Sequence, residues 1–165
     1  MNTPMHTIVH VTLDNQALWL GAVRALFMEY QTQLGIDLCF QGFADELATL
    51  PGDYACAAQG GLYLAVAADG LATGCVAYRS CPSVLDAAEM KRLYVRNAAR
   101  GTGLGRSLAW RVLNDARARG YARMVLDTLS FLNASHALYE SLGFTEIERY
   151  NDNLIPGTRF LSRTL

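Results

Sequence analysis

A segment rich in glycine and arginine is the part of the sequence best suited to binding a charged ligand. It runs from Arg100 to Arg106 as Arg-Gly-Thr-Gly-Leu-Gly-Arg and lies between a predicted strand and a predicted helix. Glycines let the backbone approach a ligand closely, and the free N–H groups of a helix N-terminus favour a phosphate. The stretch that ends with this segment also holds five basic residues and no acidic one, namely Lys91, Arg92, Arg96, Arg100 and Arg106. We therefore predict an anion site here, in a chain whose net charge is only −1.

Two common phosphate-binding motifs do not fit this segment. A P-loop requires Lys-Ser or Lys-Thr after its last glycine, and Arg106 follows Gly105 here. A dinucleotide fingerprint that began at Gly101 would need glycine at position 106. A flexible turn with solvated arginines remains an alternative interpretation.

Composition narrows the class of protein. A chain of 165 residues that is 52% hydrophobic predicts a single domain over residues 1–165. Lys plus Arg number 14 against 15 Asp plus Glu, which argues against nucleic-acid binding by bulk charge. No apolar run approaches the ~20 residues of a membrane span and no signal peptide is seen, so we expect a soluble, cytoplasmic protein.

The four cysteines form no CxxC pair and are expected to be free, packed thiols. His136 has no metal partner at helical spacing and is predicted to lie at the rim, so no metal site is expected.

The predicted elements position the glycine-rich segment within a mixed sheet. Predicted strands are Thr7–Leu13, Leu62–Ala67, Thr73–Arg79, Glu89–Arg96, Met124–Asp127, Thr145–Glu148 and Arg159–Leu165. The first predicted helix follows Asp14, which would cap it. Three further helices are predicted over Phe43–Leu50, Leu104–Arg119 and Ala134–Ser141. This order predicts an α+β fold with helices on the sheet faces. The strand from Glu89 should be central and parallel to the strand from Met124, and functional groups should gather where the two meet.

The residues around the segment resemble a known family. Arg100-x-x-Gly103-x-Gly105 is similar to the pyrophosphate loop, Arg/Gln-x-x-Gly-x-Gly/Ala, of the GNAT N-acetyltransferases. The resemblance includes Glu-Met-Lys-Arg-Leu-Tyr-Val at 89–95 and Leu-Tyr-Glu-Ser-Leu-Gly-Phe at 138–144, so it spans about a third of the chain. The C-terminal Tyr-x-x-Asn-x-x-Pro-Gly at 150–157 resembles a bacterial, small-molecule-type branch, with Leu154 where that branch has proline.

The resemblance implies the GNAT-like acyl-CoA N-acyltransferase fold and acetyl-CoA as cosubstrate. In that fold the sheet is mixed and mostly antiparallel, and its parallel central pair splays to admit the cofactor. The pyrophosphate would sit on the N–H groups of the glycine-rich segment, and residues 93–95 would pair with the pantetheine arm. Asn133 lies one position from the family's asparagine, so it either contacts the pantetheine or caps the following helix. The implied cofactor-binding residues are Leu93, Tyr94, Val95, Arg100, Gly101, Thr102, Gly103, Leu104, Gly105, Arg106 and Asn133.

Two side chains match the family's proton-transfer positions. Tyr139 would protonate the departing CoA thiolate, and the alternative is a helix tyrosine whose ring only packs. Glu89 lies at the spacing of the general base in histone-type members, and the alternative is a strand carboxylate paired with Lys91 or Arg92.

The function that the resemblance implies is transfer of an acetyl group to a primary amine of a small molecule or amino acid. The amine would attack acetyl-CoA directly in a ternary complex. The alternatives are an acetyltransferase for a protein N-terminus or lysine, and a weak or inactive acyl-CoA-binding regulatory module. The acceptor pocket would be bordered by residues 35–43 and 150–157. We expect no nucleic-acid or membrane partner, and a homodimer is compatible with the sequence.

Overall fold

We describe residues 5–39 and 42–165 in a computed structural model of the chain. Its strands form one mixed sheet in the order β1-β2-β3-β4-β5-β7-β6. The strands are β1 His6–His10, β2 Gly61–Ala67, β3 Ala72–Ser80, β4 Ala87–Val95, β5 Arg123–Thr128, β6 Thr145–Glu146 and β7 Arg159–Thr164. The helices are α1 Gln16–Leu34, α2 Phe43–Thr49, α3 Leu104–Ala118 and α4 Asn133–Ser141, joined by short 3-10 turns. This is the α+β architecture that the sequence predicted.

The centre of the sheet opens into a gap. β4 and β5 are parallel, and they pair only from Ala87 opposite Arg123 to Glu89 opposite Val125. β4 stays paired with antiparallel β3 as far as Val95, while β5 continues beside β7. The backbone of β4 beyond Glu89 therefore has no strand on its β5 side, and the predicted splay of the central pair is confirmed.

Helices cover both faces of the sheet. α3 packs the apolar side chains of its buried stripe, such as Leu108 and Val112, against one face. α1 packs Leu26 and Phe27 against the other face together with α2. Each stripe recurs at the three- and four-residue spacing of an amphipathic helix. The gap between β4 and β5 thus lies between two helical layers.

The first strand and the start of α1 differ from the prediction. β1 ends at His10, because Asn15 turns the chain by accepting from the Thr12 backbone N–H at 2.8 Å and donating to the His10 carbonyl at 2.9 Å. α1 then begins at Gln16 with Asn15, not Asp14, at its N-cap position. The predicted Asp14 cap is therefore wrong. Among the described residues, no helix combines the length and apolarity that a membrane crossing requires.

Candidate active site

The glycine-rich segment folds as the entry to α3. Gly101 and Gly103 have φ of 76° and 83°, a left-handed conformation that side chains with a Cβ adopt at a cost. A Cβ at either position would meet no atom within 4 Å, so the backbone conformation, rather than space, requires glycine here. The Ser107 N–H donates to the Gly103 carbonyl at 3.1 Å. The N–H groups of the turn before Ser107 have no intrahelical acceptor and can bind an anion.

A large cleft of about 730 Å³ lies beside this turn, between the end of β4 and the start of α4. The predicted cofactor-binding residues that line it are Leu93, Tyr94, Val95, Arg100, Gly101, Gly103, Leu104, Gly105, Arg106 and Asn133. Thr102 is the exception, because its hydroxyl donates to the Ala99 carbonyl at 2.8 Å within the loop itself. The structure therefore brings residues from three separate segments of the chain to one surface.

The five basic residues of the sequence prediction do not share one site. Arg96 forms an ion pair with Glu29 at 2.6 Å, and Lys91 and Arg92 are buried among acidic side chains. The exposed Arg100 donates to the Val95 carbonyl at 2.8 Å and to Gln33 at 2.7 Å. The exposed Arg106 donates to Ser141 at 2.7 Å. In the described part of the chain neither Arg100 nor Arg106 is paired with a carboxylate, so these two supply the positive charge of the cleft.

A small cavity of about 50 Å³ continues from the cleft into the gap between β4 and β5. Five residues line both spaces, namely Tyr30, Leu34, Leu93, Leu132 and Ser135. Ile36 and Leu38 from one predicted acceptor segment also line the small cavity, as do Asn153 and Ile155 from the other. Phe40, in the first of these segments, lies outside the described residues. The two spaces therefore meet at the splay of the central strands.

Arg92 reaches the small cavity through an irregularity in β4. Its φ of 60° coincides with the register shift between β3 and β4, and such a bulge re-aims a side chain. The guanidinium donates to Glu46 at 2.6 Å and lies 5.1 Å from the centre of the Phe43 ring. Tyr54 donates to the same Glu46 carboxylate. The buried Arg92 cation thus lines the cavity, and Glu46 holds it from outside the lining.

Tyr139 lies on α4 and lines the small cavity. The residue is 8% exposed, and its ring meets Phe144 edge-on at 5.7 Å. Burial raises the pKa of its hydroxyl above the usual range, and the negative charge of Asp127 adds to the effect. The hydroxyl is therefore protonated near neutral pH and can serve as a proton donor.

Asp127 is a cavity carboxylate that the sequence analysis missed. Its Oδ2 accepts from the amides of Asn151 at 2.9 Å and Asn153 at 3.0 Å, and Oδ1 lies 3.8 Å from Nζ of Lys91. Burial alone would raise the pKa of Asp127, but the Lys91 charge and the two amides lower it below its usual value. The sequence did offer one indication of this role. Asp127 lies near the carboxyl end of a strand with a parallel neighbour, and ligands bind at such ends.

Glu89 lies deeper in the same strand and is 3% exposed. Its Oε2 accepts from Nε of Arg79 at 3.0 Å, and its Oε1 accepts from the Tyr150 hydroxyl at 2.9 Å. Nζ of Lys91 lies 3.9 Å from Oε1. Glu89 lines a separate cavity of about 390 Å³ with Arg79 and Tyr150. The Lys91 ammonium lies between the carboxylates of Glu89 and Asp127. Lys91 therefore connects Glu89 to the lining of the small cavity.

Three further sequence predictions can be compared with the structure. Asn133 is the first residue of α4, after Leu132, and its side chain makes no capping bond, so the capping alternative is wrong and Asn133 lines the cleft instead. His136 is buried at 8% exposure rather than at the rim, because it shares the inward face of α4 with Tyr139. The cysteines are free as predicted, but Cys39 is exposed rather than packed. Within residues 5–39 and 42–165, no three His, Cys, Asp or Glu side chains are grouped to hold a metal ion.

Comparison with known proteins places this geometry among acetyltransferases. A family model described as the acetyltransferase (GNAT) family matches residues 22–144. The chain is 38% identical over 142 residues to an uncharacterized N-acetyltransferase of Schizosaccharomyces pombe, with 86% of each chain covered. A GNAT-family acetyltransferase from Staphylococcus aureus Mu50 has a TM-score of 0.78 at 17% identity, covering 97% of this chain and 99% of that one. A phosphinothricin acetyltransferase from Sinorhizobium meliloti, in complex with acetyl-CoA, has a TM-score of 0.69 at 18% identity, covering 97% and 88% of the chains. Likeness to the two structures shows a shared fold.

Proposed function

The chain belongs to the GNAT family of acetyltransferases, and from this premise and the site we propose that it moves the acetyl group of acetyl-CoA to a primary amine of a small molecule or amino acid. The observation that carries the proposal is the shared wall of cleft and cavity at the strand gap. A thioester carried along the cleft would end where Tyr139 and Asp127 line the cavity. Acetyl-CoA bound to the structurally similar phosphinothricin acetyltransferase supports this choice of acyl donor.

The cleft suits each part of acetyl-CoA. The diphosphate would accept from the N–H groups of residues 101–106, with Arg100 and Arg106 offsetting its charge. Thr102 would contribute its backbone N–H, since its hydroxyl is held by Ala99. The amide groups of the pantetheine arm would add to the open edge of β4 at residues 93–95, as an extra strand adds to a sheet edge. Asn133 would flank that arm from the start of α4.

The cavity would then hold the reacting atoms. The amine nitrogen attacks the thioester carbonyl carbon, the C–S bond breaks, and the sulfur leaves as a thiolate. Tyr139, which lines the cavity, would donate its hydroxyl proton to this thiolate. The amine gives up one proton as the amide forms, and a base must take it.

Two carboxylates are candidates for the base. Asp127 lines the cavity directly, whereas Glu89 would act from behind Lys91 and through solvent in its own cavity. The Lys91 charge and the amides of Asn151 and Asn153 lower the pKa of Asp127, which makes this carboxylate a weak base. An α-amine with a pKa of ~7.7–8.0 is partly neutral at pH 7, whereas a lysine amine near ~10.4 is not. A weak base therefore favours an α-amine as acceptor.

The size of the cavity also favours a small acceptor. Its volume of about 50 Å³ suits a small amino-bearing group, and segments on two sides enclose it. A lysine within a folded protein would have to enter past these segments. We infer that the acceptor is a small amine or amino acid whose amino group enters the cavity.

The proposal is tested by measuring free CoA release from acetyl-CoA across a panel of amines, amino acids and peptides. We expect turnover with a small α-amine, and none when the amine is replaced by its N-acetylated form. Turnover confined to peptides would favour the protein-directed alternative. Tight acetyl-CoA binding without turnover on any amine would favour a regulatory acyl-CoA-binding module.

The two candidate bases are separated by pH profiles of kcat/KM for Glu89→Gln and Asp127→Asn. Loss of the base should slow the reaction most at neutral pH, and the loss should shrink as the pH approaches the pKa of the amine. It should shrink at lower pH for an α-amine than for a lysine-like amine. A loss that is constant with pH for both substrates would mark that carboxylate as structural.

A further inference from the structure

A second group of reactive side chains surrounds the thiol of Cys56, outside the cleft and the small cavity. Cys56 begins a 3-10 turn between α2 and β2. Its Sγ lies 3.5 Å from Nε2 of His10, at the end of β1, and 3.4 Å from Nη2 of Arg119, just after α3. Nη1 of Arg119 donates to the Cys56 carbonyl at 3.5 Å. Three segments distant in sequence thus place a proton acceptor and a cation against one sulfur.

Neighbouring side chains hold these two groups in place. Nε of Arg119 donates to Oδ2 of Asp115 at 3.2 Å, and the Tyr78 hydroxyl donates to the same oxygen. The His10 ring stacks on Tyr63, with ring centres 4.6 Å apart and planes inclined by 21°. The guanidinium and the imidazole are therefore oriented before any reagent arrives.

His10 is suited to accept the proton of the thiol. Burial lowers its pKa below the usual value, the Asp115 carboxylate acts in the opposite direction, and the positive charges of Arg111 and Arg119 lower the pKa further. The imidazole is therefore neutral near neutral pH, and the tautomer with its proton on Nδ1 presents the Nε2 lone pair to the thiol. A proton taken from Cys56 would leave a thiolate facing the Arg119 guanidinium, which is the environment that makes a cysteine nucleophilic.

The other cysteines have different surroundings. Cys75 and Cys81 are buried, and burial raises the pKa of the Cys75 thiol well above its usual value. Cys39 is exposed beside Asp37, whose carboxylate raises the pKa of that thiol. Within the described residues, the Cys56 sulfur is thus the one that contacts cationic or basic side chains while remaining half-buried rather than buried.

We propose that Cys56 is a second, nucleophilic site that hydrogen peroxide and small hydroperoxides oxidise to a sulfenic acid. His10 takes the thiol proton, and the thiolate sulfur attacks one peroxide oxygen. The S–O bond forms as the O–O bond breaks. The leaving hydroxide, or the alkoxide of an organic hydroperoxide, takes the proton from His10 to give water or the alcohol. The sulfur loses two electrons and the peroxide gains them. Arg119 stabilises the thiolate before the attack.

This site is remote from the cofactor cleft. Arg119 follows the C-terminal end of α3, whereas the cleft lies at the N-terminal end of the same 15-residue helix. A helix of that length spans ~22 Å. Acetyl-CoA in the cleft should therefore leave Cys56 accessible.

The test treats the full-length protein with hydrogen peroxide and dimedone, and follows labelling of each cysteine by mass spectrometry of its peptides. We expect Cys56 to be labelled about tenfold faster than Cys39, the change that one charge-assisted hydrogen bond can produce. Saturating acetyl-CoA should not change the Cys56 rate. Labelling of Cys39 at an equal or higher rate would overturn the proposal, and so would protection of Cys56 by acetyl-CoA.

Two variants test the assigned roles. Arg119→Gln and His10→Gln should each slow Cys56 labelling about tenfold, while labelling of Cys39 stays unchanged. Arg117→Gln, an exposed arginine in the last turn of α3, is the matched control and should have no effect. An unchanged Cys56 rate in both folded variants would contradict the proposal. If melting curves show that a variant is unfolded, the proposal is still tested by the labelling rates of Cys56 and Cys39 in the wild-type protein.

Discussion

The large cleft and the small cavity meet at one gap in the sheet, but they are built in different ways. The cleft, of about 730 Å³, takes its anion-binding groups from backbone N–H groups and from Arg100 and Arg106, which are exposed. The cavity, of about 50 Å³, is lined by the buried charges of Lys91, Asp127 and Arg92. Lys91 pairs with Asp127, and Arg92 pairs with Glu46 outside the lining. The first arrangement is local in sequence, whereas the second is assembled across the fold.

This difference has an energetic consequence. An exposed arginine can lose its charge with little effect on folding, because solvent already screens it. A buried ion pair that loses one partner leaves an uncompensated charge in the interior. Substitutions of the exposed arginines of the cleft should therefore affect ligand binding alone, whereas substitutions of the buried charges of the cavity should affect both stability and catalysis.

Glu46→Gln should produce the largest loss of stability. It removes the carboxylate that balances Arg92, whose side chain is 3% exposed, and breaking such a pair costs ~3 kcal/mol of unfolding free energy. Chemical denaturation would measure the loss. The matched control is Glu146→Gln, which breaks the exposed pair with Arg159 and should leave the midpoint unchanged. Equal midpoints for the two variants would refute the distinction between buried and exposed charge.

Gly103→Glu should abolish binding of acetyl-CoA. The substitution puts bulk and negative charge where the diphosphate would lie, so we expect the Kd to rise more than about 100-fold and the ~2.7 kcal/mol of stabilisation at one hundred times Kd to vanish. Gly70→Glu is the matched control, since Gly70 has the same left-handed conformation, φ 84° against 83°, and equally open space. Calorimetry checks both variants. If Gly103→Glu still binds acetyl-CoA, the loop is not part of the acetyl-CoA site.

Tyr139→Phe should slow catalysis without weakening acetyl-CoA binding. The ring would still pack against Phe144, but the proton donor would be lost, so kcat should fall by roughly 10²-fold. Tyr121→Phe is the control, because that hydroxyl donates to the Gln59 carbonyl on a remote surface. Rates measured under single-turnover conditions report the chemical step rather than product release. An unchanged rate would assign Tyr139 a packing role only.

The smallest effect concerns acid stability. The pKa of Asp127 is lower in the folded chain, so its contribution is present above the unfolded carboxyl pKa of ~3.9 and is lost as pH falls through the folded value. Asp127→Asn should therefore lose less stability than wild type as the pH falls from about 5 through ~3.9 and on through the folded pKa. Asp14→Asn, at an exposed position, should follow the wild-type curve. An Asp127→Asn curve parallel to wild type would argue against a buried, paired carboxylate.

The same contrast explains what the sequence could predict. The loop from Arg100 to Arg106, the strands predicted at Leu62–Ala67 and Thr73–Arg79 and the helix that begins at Leu104 are local patterns, and the structure contains each of them. For Glu89 the sequence leaves open a general base or a carboxylate paired with Lys91 or Arg92, its neighbours in sequence. Its main partner is Arg79, directly opposite on β3, and such a pairing depends on strand register.

The cavity depended on contacts that no local pattern specifies. Asp127, Asn153 and Glu46 come from three segments that meet only in the folded chain. The burial of His136 likewise depends on which face of α4 turns inward. Sequence patterns therefore predicted the residues of the cleft more completely than those of the cavity.

Initial-rate kinetics with both substrates varied would test most directly whether cleft and cavity divide the two substrates. Arg106→Gln should raise the KM of acetyl-CoA about tenfold, the effect of one charge-assisted contact, and leave the KM of the amine unchanged. Asp127→Asn should raise the KM of the amine or lower kcat, and leave the KM of acetyl-CoA unchanged. The account predicts this crossed pattern. If each variant raised both KM values by the same factor, the division of the site into a cofactor cleft and an acceptor cavity would be wrong.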